Sequence, residues 1–122
     1  MSAREDAVEA WVAVCKLSDI VPDTGVCALV HGRQVAVFRL SGLSDDGDAR
    51  VYAIDNYDPF SGANVLSRGI VGDLKGELVV ASPIYKQHFN LLTGQCLEDA
   101  EVRVSVFPAR VEDDIVFIII TQ

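Results

Sequence analysis

Cysteine is scarce in this sequence. It has three cysteines, Cys15, Cys27 and Cys96, at wide spacing. None of them forms a Cys-x-x-Cys or Cys-x-His pair, so the sequence predicts neither a disulfide framework nor a thiolate-based metal site. Free cysteines of this kind usually behave as small buried hydrophobic residues. We therefore expect three reduced thiols that are dispensable for activity, a pattern that favours a reducing cytoplasm.

Long apolar segments are also absent. The longest purely apolar run, Ile115–Ile120, is far shorter than the ~20 residues that span a bilayer. The N-terminal segment MSAREDAVEAW carries early acidic residues and no apolar stretch, which argues against a signal peptide. These features predict a cytoplasmic protein without a membrane partner.

Basic residues are few. Ten lysines and arginines stand against eighteen aspartates and glutamates, which gives a net charge of −8. A chain with this charge repels polyanions, so nucleic acid and anionic membranes are poor partners. Half of the 122 residues are hydrophobic. That content is enough to bury the core of one folded domain without cross-links.

The residues that are present predict a β protein. Short apolar or alternating segments recur between turn residues, and no helical period separates them. The segments are GVCALV and VAVFRL, which form a hairpin around His31-Gly32, and then Val51–Asp55, Ile70–Val71, Leu78–Ala81, Gln87–Leu91, Val102–Val106 and Ile115–Thr121. The one candidate helix is a short one at Glu5–Ala10. The pattern predicts an all-β sandwich or barrel, with residues 1–122 as a single domain.

Two strand positions carry specific expectations. Pro83 cannot donate to a ladder, so it should end the strand Leu78–Ala81 or place that strand at a sheet edge. The last strand is rich in isoleucine, and a terminal strand is often an edge strand. It therefore needs cover from its own fold or from another chain.

No group of residues predicts an active site. The candidates are His31 and His88 as metal ligands, Asp45, Asp46, Asp48, Asp55 and Asp58 as cation ligands, and Ser67 and Ser82 as nucleophiles. Neither histidine has another ligand at metal-binding spacing. The acidic residues lack the twelve-residue EF-hand pattern, and the serines lie outside a Gly-x-Ser-x-Gly elbow. The sequence therefore predicts no catalytic, cofactor-binding or metal-binding residue.

Aromatic residues cluster around two predicted loops. They are Tyr52, Tyr57, Phe60, Tyr85 and Phe89. In a small β domain such residues are mostly core residues. The other interpretation is an exposed patch that faces a partner, because exposed aromatic surface is typical of interfaces.

The same two loops resemble the cluster-binding half of a Rieske domain. VYAIDNYDPF is followed by GELVVASPIYKQHFNLLTG. In Rieske domains, a Cys-x-His turn and a Cys-x-x-His turn hold a two-iron, two-sulfur cluster. Laid over that pattern, the first pair corresponds to Asp58 and Phe60, and the second pair corresponds to Ser82 and Tyr85. The resemblance implies an all-β, Rieske-like fold whose cluster-binding subdomain, approximately residues 55–95, has lost its ligands and its cluster.

Over nearly its whole length, the sequence is similar to the small subunit of the cytoplasmic NADH-dependent assimilatory nitrite reductase. The segments DPF, VLSRG and ASPIYKQ carry this similarity. In that family the large subunit carries FAD, an iron–sulfur cluster and sirohaem, and it reduces nitrite to ammonium. The resemblance implies a non-catalytic companion of the large subunit, with no cofactor of its own. The alternative is a stand-alone, metal-free Rieske-fold module that binds another protein.

The resemblance also gives expectations for the two loops. The residues expected to face a partner are Tyr57, Asp58, Phe60, Arg68, Tyr85 and Lys86. Because an empty cluster site would leave a costly cavity, the rings of Tyr57, Pro59, Phe60 and Tyr85 are expected to pack the loops together. Asp58 is expected to accept hydrogen bonds from loop amides.

Overall fold

The computed structural model describes residues 10–120. Within that range the regular elements are twelve β-strands and two short 3₁₀ turns, so the all-β prediction is confirmed. The predicted helix at Glu5–Ala10 lies outside the described residues, apart from Ala10, which is not helical. No helix in residues 10–120 is long and apolar enough to cross a membrane.

The strands lie in four sheets. They are β1 (Val12–Lys16), β2 (Thr24–Val30), β3 (Arg33–Leu43), β4 (Ala49–Asp55), β5 (Tyr57–Asp58), β6 (Ala63–Asn64), β7 (Ile70–Leu74), β8 (Glu77–Ala81), β9 (His88–Asn90), β10 (Val106–Phe107), β11 (Ala109–Glu112) and β12 (Ile115–Ile118). The sheet orders are β1-β12-β11, β10-β4-β3-β2, β5-β6 and β7-β8-β9.

The four-stranded sheet separates two hydrophobic clusters. Its β2–β3 hairpin turns at His31 and Gly32, both at positive φ (52° and 79°), as the sequence predicted. Side chains alternate across β3, because successive residues of a strand point to opposite faces. Ala36 and Phe38 enter one cluster, and Val35 and Val37 enter the other.

One cluster is covered by the sheet β1-β12-β11. Here the expectation that the last strand is an edge strand was wrong. β12 pairs with β1 on one side and with β11 on the other. The turn at Asp113 and Asp114, both at positive φ, returns the chain beside β11, and the N-terminal strand closes the remaining edge. The apolar side chains Val116 and Ile118 are therefore fully buried by this chain itself.

The other cluster is covered by β7-β8-β9 and by the small ribbon β5-β6. Phe89, Val80 and Leu66 pack there against Phe38 and Ile54 of the four-stranded sheet. β8 is the central strand and ends at Ala81, two residues before Pro83. Pro83 thus coincides with the end of the strand, but β8 is not at an edge. The two loops that follow β5 and β8 lie on this side of the molecule.

The predicted strand Val102–Val106 is largely wrong. Val102 and Val104 point inward, as the alternation predicted. Their backbones bond to the neighbouring loop instead of a strand, because the Cys96 amide donates to the Val102 oxygen and the Val104 amide donates to the Gly94 oxygen, each at 2.9 Å. Only the two residues of β10 pair with β4. The local pattern predicted the buried side chains but not their hydrogen-bond partners.

Candidate functional site

The ends of β5 and β8 meet at Asp58 and Ser82. Both residues are fully buried, with 0% exposure. The Ser82 hydroxyl donates to Oδ2 of Asp58 at 2.5 Å, and the Phe60 amide donates to Oδ1 at 2.9 Å. The shorter distance is typical of a charge-assisted hydrogen bond from a hydroxyl to a carboxylate. The expected amide donor to Asp58 is confirmed, and a direct side-chain bond joins the two loops.

Both loops are closed by their own backbone hydrogen bonds. In the first loop, the Gly62 amide donates to the Asp58 oxygen at 2.8 Å, with Gly62 at a φ of 73°. In the second loop, the Ser82 amide donates to the Gln87 oxygen at 2.9 Å, and the Lys86 amide donates to the Ser82 oxygen at 3.1 Å. Each loop is therefore held by its own backbone as well as by the bond between Asp58 and Ser82.

The environment of Asp58 keeps its carboxyl group ionised. Burial raises the pKa of Asp58, but hydrogen bonding from the Ser82 hydroxyl, the Phe60 amide and Ser61 together outweighs that effect. The net result is a pKa below the ordinary value for an aspartate. A buried carboxylate with these donors is a structural acceptor in its charged form.

Phe60 packs inward as expected. Its ring belongs to the edge of the cluster around Phe89, and the two ring centroids lie 6.2 Å apart at an angle of 47°. The same expectation was wrong for Tyr57 and Tyr85, whose exposed fractions are 45% and 60%. The bond between Asp58 and Ser82 occupies the position between the loops, so these two rings lie outside it.

Truncating Phe60 tests this packing. We expect Phe60→Ala to lower the free energy of unfolding by about 2 kcal/mol, because a partly buried ring leaves the cluster around Phe89. Tyr85→Ala, in the exposed part of the other loop, should change it by about 0.5 kcal/mol or less. Urea denaturation of both variants provides the comparison. Equal stability of the two variants would contradict the inward packing of Phe60.

The six residues expected to face a partner divide into two groups. Tyr57, Arg68, Tyr85 and Lys86 are exposed. Asp58 is fully buried, and Phe60 is partly buried against the core. The expectation that these two side chains face a partner was therefore wrong. The inward groups form the support of the two loops, and the exposed groups form their surface.

Asn56 stabilises the region of the two loops, a role that the sequence alone did not predict. It is 1% exposed, and its Oδ1 accepts the Ser67 amide at 2.7 Å. Its Nδ2 donates to the Gln34 side chain at 3.2 Å, and its backbone oxygen accepts the Leu66 amide at 3.1 Å. These bonds tie the first loop to the β2–β3 hairpin and to the 3₁₀ turn at Leu66–Arg68. An isolated asparagine before a turn gives no local signal of such a role.

The backbone at Gly69 holds this 3₁₀ turn close to the second loop. A Cβ atom at Gly69 would lie 2.3 Å from the Ala81 oxygen, so only glycine permits this approach. Ile70 pairs with Ala81 in the adjacent ladder position. Arg68 is thereby held between Ser67, whose amide donates to Asn56 just before β5, and Gly69, which lies against Ala81 at the end of β8.

The other candidate ligands do not converge. His31 is exposed in its hairpin turn. His88 is paired instead with Glu98, whose carboxylate lies 2.6 Å from Nδ1 and accepts the His88 amide at 2.8 Å. Burial raises the pKa of Glu98, and the hydrogen bonds from His88 lower it further than burial raises it. In the part of the chain described, no three histidine, cysteine, aspartate or glutamate side chains are grouped to hold a metal ion.

The remaining candidates are equally separate. Cys15 is partly buried, Cys27 is exposed and Cys96 is buried, so the expectation of buried thiols fits only part of the set. Burial raises the pKa of the Cys96 thiol, which favours an inert, protonated group. The acidic group Asp45, Asp46 and Asp48 lies in an exposed loop. Ser67 contributes its amide to Asn56.

The residues at the two loops do not suit a two-iron, two-sulfur cluster. Such a cluster of the Rieske type takes two thiolates and two imidazoles. The loops offer a carboxylate and a hydroxyl that are bonded to each other, a phenyl ring packed near Phe89, and an exposed phenol. The carboxylate and the hydroxyl are bonded to each other and are not thiolates. The phenyl ring and the phenol are not imidazoles.

Comparison with known proteins places this geometry in a family. A family model described as the Rieske-like [2Fe-2S] domain matches residues 10–119. The nitrite reductase (NADH) small subunit of Salmonella typhimurium is 51% identical over 106 residues, which are 87% of this chain and 94% of that protein. The solved structure of the Escherichia coli protein NirD is 45% identical, with a TM-score of 0.81 over 93% of this chain and 98% of that one.

A further relative has a different organisation. A nitrite reductase [NAD(P)H] large subunit of Klebsiella oxytoca is 43% identical over 108 residues. The match covers 88% of this chain but only 11% of that protein, so a segment of a much longer polypeptide resembles this domain. From the family model and from the small subunits matched over nearly their full length, we conclude that this chain belongs to the Rieske-like [2Fe-2S] domain family and, within it, to the nitrite reductase (NADH) small subunits.

Proposed function

We propose that this chain is the non-redox small subunit of a cytoplasmic, assimilatory NADH-dependent nitrite reductase. It assists a large subunit that reduces nitrite to ammonium, and it transfers no electrons itself. The observation that carries the second part is the buried hydrogen bond between Asp58 and Ser82. This bond occupies the two positions that the Rieske resemblance assigns to cysteine ligands.

The relatives support the companion role. The Salmonella typhimurium protein is named a small subunit, and its match extends over 94% of its length. In the Klebsiella oxytoca large subunit, a similar domain is part of the large polypeptide. A domain that occurs both as a separate small subunit and within a large subunit is expected to work beside that large subunit.

The cofactors of the reaction are assigned to the large subunit. FAD, an iron–sulfur cluster and sirohaem are the groups that the family resemblance implies for it. For this chain we propose no cofactor, because the loop residues do not match the ligands of a Rieske cluster. The contribution of the small subunit is then made through protein contact.

The proposed role can be tested by reconstitution. The large subunit from the same organism is purified with and without this chain, and NADH-dependent ammonium formation from nitrite is measured. We expect the complex to be more active than the large subunit alone, and this chain alone to be inactive with NADH and nitrite. A large subunit that neither binds this chain nor gains activity from it would favour the stand-alone binding module instead.

A further inference from the structure

We propose that the exposed ends of the two loops form the surface that docks on the nitrite reductase large subunit. We define this surface, the crest, as Tyr57, Pro59, Ile84 and Tyr85. The inference rests on the proposed function and adds to it the contact surface and the chemistry that this surface recognises.

The side chains of the crest are largely apolar, and they lie at the surface instead of in the core. The exposed fractions of Tyr57, Ile84 and Tyr85 are 45%, 44% and 60%, and Pro59 is also exposed. All four lie within three residues of Asp58 or Ser82 in the sequence. Tyrosine is enriched in interfaces because it buries a large apolar ring and keeps a polar group for hydrogen bonding.

The crest is held rigidly from below. The buried bond between Asp58 and Ser82 joins its two loops at 2.5 Å, and the Ser82 oxygen Oγ also accepts the Ile84 amide at 3.2 Å. A surface that is already ordered in the free protein loses less conformational entropy when it binds a partner. The backbone that carries the exposed rings is therefore held in one arrangement.

Two cations are carried by segments that adjoin the crest. Lys86 directly follows Tyr85, and its amide donates a hydrogen bond to the Ser82 oxygen. Arg68 directly follows Ser67, whose amide donates to Asn56, the residue before Tyr57. Both side chains are exposed. The whole chain carries a net charge of −8, so positive charge next to the crest runs against the average of the molecule. This arrangement fits a partner surface that is apolar at its centre and acidic around it.

The Klebsiella oxytoca protein supports the large subunit as the occupant. A nitrite reductase large subunit there is 43% identical to this chain over 108 residues, so a domain of this family occurs in one polypeptide with the large subunit. In this chain, the sheet β1-β12-β11 covers one face of the four-stranded sheet, and Phe60 packs in the cluster on the opposite face.

The experiment measures binding of this chain to the large subunit purified from the same organism. The crest variant is Tyr57→Ala with Tyr85→Ala, and its control is Leu29→Ala, a large hydrophobic side chain on the β2–β3 hairpin that is still more exposed. The charge variant is Arg68→Glu with Lys86→Glu, and its control is Lys75→Glu, in the turn at the other end of β7 and β8. Denaturation curves confirm that each variant is folded.

We expect the crest and charge variants to raise the Kd by about tenfold or more, as truncation of interface anchors does, and the controls to leave it unchanged. Binding of the wild-type chain should also weaken with added salt. Wild-type binding with an unchanged Kd for folded crest variants would overturn this inference and leave the proposed function intact. Failure of the wild-type chain to bind the large subunit would overturn both. Crest variants that alter only the self-association of this chain would assign the crest to a homodimer and likewise overturn the inference.

Discussion

Replacing Asp58 by alanine is expected to lower the free energy of unfolding by about 3 kcal/mol. The carboxylate accepts hydrogen bonds from the Ser82 hydroxyl and the Phe60 amide in a fully buried position. Removing it leaves these buried donors without an acceptor, at roughly 1–3 kcal/mol for each unsatisfied group. Urea denaturation at neutral pH measures the loss. Asp45→Ala, in an exposed loop, is the control and should change stability by about 0.5 kcal/mol or less.

The pH dependence of this effect has a definite sign. Because the folded-state pKa of Asp58 lies below its unfolded value, the ionised group stabilises the protein above the unfolded pKa of about 4. This contribution is lost as the pH falls through the folded pKa. The stability difference between wild type and Asp58→Asn should therefore be largest at neutral pH and shrink below pH ~4. A difference that stays constant into the acid range would show that the charge of Asp58 is not what stabilises the loops.

Gly94→Ala is expected to be at least as damaging, with a loss of about 3 kcal/mol or more in the free energy of unfolding. Gly94 is buried and has a φ of 80°. A Cβ atom there would overlap the Val104 oxygen. The backbone of this loop also bonds to Asn90 and Val104. The substitution therefore combines an unfavourable backbone conformation with a clash against the main chain.

Gly76→Ala separates these two causes. Gly76 has a φ of 85° in the β7–β8 turn, and a Cβ atom there would meet no atom within 4 Å. This control carries only the conformational cost, about 1–2 kcal/mol. Thermal or urea denaturation measures the loss in the free energy of unfolding for each variant. The difference between the two losses is the cost of the clash at Gly94. Equal losses would mean that the Gly94 loop relaxes and that its approach to Val104 is not required.

The sequence predicts those parts of the fold that depend on local chemistry. The predicted turn at His31-Gly32 takes positive φ, and the hairpin that it closes is formed. The order of strands in a sheet depends on long-range pairing, which local patterns do not contain. For this reason β12 was expected at an edge but lies between β1 and β11. The inward side chains of Val102 and Val104 were predicted, while their bonding to the Gly94–Cys96 loop was not.

The site shows the same division. The spacing within DPF and ASPIY identified Asp58 and Ser82 as the residues to compare, and the structure brings them into direct contact. The outward positions of Tyr57 and Tyr85 depend on what fills the space between the loops, which is a property of both loops together. The role of Asn56 depends on Gln34 and Ser67, which are distant in sequence. No single segment contains that information.

In the function we propose, a hydrogen bond between Asp58 and Ser82 joins the two loops where Rieske domains hold a cluster, and the domain presents a surface for protein contact. In the proposed enzyme, this surface acts through contact with the large subunit. A covalent connection, as in a polypeptide that contains both parts, raises the effective concentration of the domain at its docking site. As a separate chain, the domain must obtain its affinity from the interface itself. We therefore expect that affinity to depend on the exposed aromatic residues of the crest and on Arg68 and Lys86.

Asp58 and Ser82 join the two loops, and we infer that the loops hold no cluster. The most direct test is iron and sulfide analysis, with visible absorption spectra, of protein purified without oxygen and then incubated with iron and sulfide. A Rieske ferredoxin treated in the same way serves as the positive control. We predict a colourless protein with iron far below one atom per chain. About two irons per chain, together with the visible absorption of a Rieske centre, would show that the loops do bind a cluster.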